Sequence, residues 1–161
     1  MQKHPNTERT VVNLLDREFA SFGESLRILT KSVPVDLLYR QPPSHTIGEN
    51  ILRSAGAVEQ TFGGITANLW DDPFEWTLPE TLSTPDLILE YLSEVESTRL
   101  RAFSSFVNDN ALLKYIAVPS GKPCSILELL LQTISRACDY RGRATATLKL
   151  LSDVHAPGFI I

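Results

Sequence analysis

Apolar residues recur at steps of three and four along most of this chain, and that period admits helices and little else. The first stripe runs Val12, Leu15, Phe19, Phe22, Leu26, Leu29 and Val33. Residues three or four apart share a helix face, so all seven fall on one side. Pro34 ends this run. A short extra helical turn is expected near 34–40, and Pro42-Pro43 closes the section because proline disfavours helix in the residue before it.

A second helix is announced by Thr46 and Glu49, spaced as a capping box in which each side chain satisfies the other's backbone N–H. Its stripe is Ile47, Ile51, Ala55, Val58, Phe62, Ile65 and Leu69. Gly56, Gly63 and Gly64 weaken it by up to about 1 kcal/mol each, and they leave room for a neighbouring helix to approach. Residues 70–83 break the pattern with two prolines and both tryptophans. A loop of this length is usually functional or packed by its own side chains. Thr84-Pro85-Asp86 then supplies an N-cap, a proline at the first helical position and an acid beside the positive helix end.

The third stripe is Ile88, Leu92, Val95, Ala102, Phe103 and Phe106. Leu112 to Val118 reads as a short extended run, and residues 119–123 as a turn. Ser125 and Glu128 repeat the capping-box spacing. The last helix carries Ile126, Leu130, Thr133, Ala137, Tyr140, Ala144, Leu148 and Leu151. Four long amphipathic helices predict an all-α four-helix bundle.

Length and composition fit one domain spanning 1–161. With 43% hydrophobic residues the chain is too apolar to be disordered. Its 15 basic and 19 acidic side chains give a net charge of -4, which offers no support for nucleic-acid binding. The polar start, Met1 to Thr7, lacks the apolar core of a secretory signal. No stretch approaches the roughly 20 apolar residues of a membrane span. Cys124 and Cys138 form no CxxC and read as reduced thiols. A cytoplasmic location is expected.

Two stretches carry a family resemblance. Thr46 to Ala57 (TIGENILRSAGA) resembles the "SIGE-L-L-x-H-x-A" helix of the DinB-like proteins. Leu129 to Arg143 (LLLQTISRACDYRGR) resembles that family's "LLxHxxxHxxHHRGQ" helix. The order of the elements between them also fits. The resemblance implies an up-down-down-up bundle, often a homodimer. Characterised relatives include transferases and isomerases that use mycothiol or bacillithiol. It further implies a divalent metal held by three histidines, one on the second long helix and two, spaced i,i+4, on the last.

Without gaps, those three positions fall on Arg53, Arg136 and Tyr140, none of which can act as an imidazole ligand. The three histidines present, His4, His45 and His155, lie elsewhere, and no two have i,i+4 spacing. The expectation is therefore the family fold with no metal and no cofactor. Two arginines and a phenol at these positions offer donors and positive charge, which suit a carboxylate, phosphate or thiol-conjugate ligand. An ordinary surface network is the competing reading, with Arg136 to Asp139, Asp139 to Arg143 and Arg53 to Glu49, each at helix-neighbour spacing. His45 and the loop rings Trp70 and Trp76 are candidates for the pocket mouth, and Phe74 with the tryptophans for a lid or partner surface. No nucleophile stands beside a base, and no phosphate loop is present. The reading leans from catalysis to binding, by a dimeric bundle or a small-anion pocket. A metal-independent, thiol-dependent transferase or isomerase is the alternative.

Overall fold

The computed structural model describes residues 8–75 and 79–152. Four long helices account for most of them: α1 (Thr10–Ser32), α2 (Ile47–Ala67), α3 (Pro85–Ser105) and α4 (Ile126–Leu151). Short 3-10 turns occupy Val35–Leu37, Pro73–Glu75 and Asp109–Leu113, and β1 (Tyr115–Ile116) pairs antiparallel with β2 (Cys124–Ser125). The all-α expectation holds, and so does the extra turn after Pro34. The extended run expected over Leu112–Val118 shrinks to two strand residues, because its first part coils into the 3-10 turn.

The helix starts follow local chemistry. Thr46 Oγ1 accepts from the Glu49 backbone at 3.3 Å while Glu49 Oε2 accepts from the Thr46 N–H at 2.7 Å, completing the first capping box. Thr84 caps α3 ahead of Pro85. At α4 only half the expected box forms. Ser125 Oγ accepts from the Glu128 N–H at 3.1 Å, but the Glu128 carboxylate accepts from Gln132 at 3.4 Å instead of turning back. Helix α2 ends at Asn68 in the left-handed region (φ 55°), with its N–H on the Gly64 carbonyl and the Leu69 N–H on that of Gly63. Leu69, counted into the apolar stripe above, therefore lies past the helix end and is 60% exposed.

Every other stripe residue on α1 to α3 is buried or packed against the buried core. Phe19 of α1, Phe62 of α2 and Phe103 of α3 meet at centroid distances of 5.1 to 5.9 Å, with Phe19 and Phe62 edge to face. Such pairs contribute about 0.5–1.5 kcal/mol each beyond the area they bury. Helix α4 meets α2 through smaller groups. Ser54 Oγ donates to the Ala137 carbonyl at 2.7 Å, and the Thr61 and Thr133 hydroxyls bond each other at 2.6 Å in a buried seam. As the contact rises along α2 from 54 to 61 it falls along α4 from 137 to 133, so these two helices run antiparallel.

Helices α1 and α3 are also antiparallel. Arg9 donates to the carbonyls of Phe103 and Phe106, Arg99 binds Asp16, and Arg27 donates to the Leu89 carbonyl.

The α2 glycines receive something other than the helix expected there. A Cβ on Gly64 would lie 2.3 Å from the Trp70 ring, and one on Gly63 would lie 3.2 Å from the Leu69 carbonyl. The chain itself folds back onto α2 at these positions, and this return sets the course of the loop over the site.

Candidate functional site

The antiparallel α2 and α4 place Arg53, Arg136 and Tyr140 around one pocket of about 60 Å³. Ala57 and Gln60 of α2 and Asp72 of the following loop complete its lining. Arg136 and Tyr140 share a face because they are one helical turn apart. Arg53 reaches them from α2, one residue before the Ser54–Ala137 bond that fixes the two helices together.

The loop forms the cover. Trp70 seats its ring on Gly64, its indole N–H donates to Asn68 Oδ1 at 2.9 Å, and its carbonyl accepts from Gln60 at 2.7 Å. From this anchor Asp72 turns the chain by accepting from the Phe74 N–H at 3.0 Å. Pro73 is buried beside Gly56, and the Phe74 ring lies under the Arg53 guanidinium, 3.9 Å from ring centroid to guanidinium carbon. This separation is well within the range of a cation–π contact, and the ring also keeps water from one face of the cation.

The partners anticipated for these arginines are engaged elsewhere. Glu49 is taken up by the capping box, and no Arg53–Glu49 ion pair forms. Asp139 pairs with Arg143 at 2.7 Å, and the Arg143 guanidinium sits 5.4 Å from the Tyr140 ring centroid. Of the three pairs in the surface-network reading, Asp139–Arg143 is therefore present, and Arg136–Asp139 and Arg53–Glu49 are not. The Nε of Arg53 is buried without a hydrogen-bond partner among the described residues. A buried donor left unmade costs about 1–3 kcal/mol, more when charged.

His45 and Trp70 do not line this pocket. His45 is exposed, with φ 63°, just ahead of the α2 cap, and Trp70 serves as the loop anchor. Trp76, His4 and His155 lie outside the described residues. Gln60, Ala57 and Asp72 were not singled out from sequence; the only signal for Asp72 was its place before Pro73 in a turn-forming run.

The pocket's chemistry is that of a donor set. Two guanidinium groups and a phenol face one carboxylate, Asp72. Among the described residues no group of three or more His, Cys, Asp or Glu stands close enough to hold a metal ion. Neither cysteine lines the pocket, and burial together with Glu128 pushes the Cys124 thiol up, away from thiolate. No helix of the described residues is long and apolar enough to cross a membrane. Compared with models of protein families, with curated proteins and with solved structures, the chain matches none.

Proposed function

We propose that this chain is a DinB-like bundle in which the family's metal position has become a small-anion pocket, built from Arg53, Arg136 and Tyr140. The observation that carries this reading is the buried, unpartnered Nε of Arg53 in the pocket that Arg136 and Tyr140 also line. An anion there would give the Arg53 group an acceptor that none of the described residues provides. About 60 Å³ accommodates a carboxylate or phosphate group but not a drug-sized molecule, whose pockets run to about 300 Å³ and above.

The up-down-down-up arrangement belongs to the same proposal. Supporting it, α1 opposes α3, α2 opposes α4, and α2 and α3 run alike where Glu59 meets Tyr91 and Phe62 meets Phe103. The homodimer that the resemblance implies is also proposed.

Isothermal titration with inorganic phosphate and with acetate tests the pocket. Saturable binding is expected, weakened about tenfold or more by Arg53→Met and by Arg136→Met, the loss of one charge-assisted hydrogen bond. Equal heats for parent and both variants would overturn the assignment.

A further inference from the structure

A second cavity, sharing no residue with the Arg53 pocket, lies between α1, α2 and α3 and has a volume of about 330 Å³. Its walls are Phe19, Phe22, Leu26, Val58, Leu92 and Val95. The space exists because the residues between those walls are small: Ala20 and Gly23 on α1, and Ala55 on α2. A Cβ added at Gly23 meets only Glu96 Oε2, at 3.6 Å, which is ordinary contact. Nothing in the backbone therefore requires glycine at this mid-helix position, where glycine costs about 1 kcal/mol relative to alanine. An apolar recess of this size is in the range of ligand pockets.

The polar groups at its edge differ in what they still can bind. Arg99 is buried and saturated: Nε and Nη2 hold both Glu96 oxygens, and Nη1 holds Asp16. That cluster calls for no further partner. Arg27 is different. Its Nη1 is tethered to the Leu89 carbonyl at 3.3 Å and to Ser93 Oγ at 3.0 Å, while Nε and Nη2 have no partner among the described residues. The guanidinium is thus held at the rim with its other edge free. A planar fork so oriented suits a carboxylate.

We propose that this cavity binds a medium-chain aliphatic carboxylate, its chain among the phenylalanine and leucine walls and its head on Arg27. Glu24, exposed at the same rim, opposes the head group, so removing its charge should tighten binding.

Calorimetric titration of the full chain with hexanoate, octanoate and decanoate tests this directly, with decanol as the uncharged control. Affinity should rise about three- to fourfold per methylene. Gly23→Leu, which fills the recess, should weaken decanoate about tenfold or more. Arg27→Gln should weaken decanoate about tenfold and leave decanol unchanged, and Glu24→Gln should tighten decanoate. Circular dichroism checks the fold of each variant, and Ala20→Leu closes the same space should Gly23→Leu lose helix. No saturable decanoate binding, or binding indifferent to both filling variants, would overturn the site. Decanol binding as tightly as decanoate would overturn the carboxylate.

Discussion

Tyr39 shows how much one contact between a ring and a glycine organises here. Its ring lies where a Cβ on Gly48 would be, 2.3 Å from the nearest ring carbon, and its hydroxyl donates to the Leu82 carbonyl at 2.6 Å. One side chain thereby joins the turn after α1, the first turn of α2 and the segment before α3. Burial, then Glu49 and Glu80, pushes the phenol up to about 12. Tyr91 is shifted the same way, by burial and by Glu59, whose carboxylate accepts its hydroxyl at 2.5 Å. A phenol ionising near 10 in the unfolded chain and near 12 when folded stabilises fully below pH 10. That contribution is lost as pH rises through about 12. Alkaline melts should show it: Tyr39→Phe is expected to be less stable than the parent at pH 7, by about 1 kcal/mol for the missing hydrogen bond. The gap should close by pH 12. A gap independent of pH would contradict the linkage.

At the scale of the elements, local signals were legible and distant ones were not. The capping box at Thr46, the Thr84-Pro85 start and most of the apolar stripes depend on residues a few positions apart, so their chemistry can be read from spacing. The α4 box, of which only the Ser125 half forms, shows the limit of that reading. The stripe of α3 steps from Val95 to Ala102 over one vacant core position, and that position is Arg99, 4% exposed. Sequence alone could not say that α1 would deliver Asp16 to it. Arg136 and Tyr140 were singled out by the DinB-like resemblance, and helix geometry explains only why two residues one turn apart share a face. Their meeting with Arg53 rested on the family register, and the cover of Phe74 over Arg53 depends on a loop path set by Trp70 on Gly64.

The Arg99 cluster also carries a prediction about α1–α3 packing. The side chains of Asp16 and Glu96 are 39% and 40% exposed, so losing the arginine leaves them solvated. Arg99→Met, which puts an apolar group in the vacant core position, should change stability by less than about 1 kcal/mol. The pair Asp16→Asn with Glu96→Gln instead strands a buried cation and should cost about 2 kcal/mol or more. Urea midpoints of the three proteins distinguish these outcomes, and the reverse order would show that the ion pairs themselves hold the helices.

On the scale of the whole molecule, one continuous buried core draws on all four helices, and the two proposed sites lie among different elements. The anion pocket belongs to the α2–α4 seam and its loop; the larger recess belongs to α1 and α3 over α2. Ligands at the two should therefore bind additively, since the sites share no lining residue and sites without shared partners couple weakly. The proposed dimer has its own test. Sedimentation equilibrium should return about twice the 17.9 kDa chain mass, with a melting temperature that rises with protein concentration. A concentration-independent monomer would reject it.

The start of α1 has no cap of its own. Two N–H groups of its first turn, those of Val11 and Val12, donate to the Asp109 carboxylate at 3.1 and 2.9 Å, and the Asp109 N–H returns to the Glu8 carbonyl at 2.9 Å. Val11 and Asp109 are 98 residues apart. During synthesis the first helix leaves the ribosome long before its capping carboxylate exists, and at about 5–20 residues per second the wait is on the order of 5–20 seconds. The opening turn of α1 thus closes only after the segment that joins the third helix to the fourth has been made.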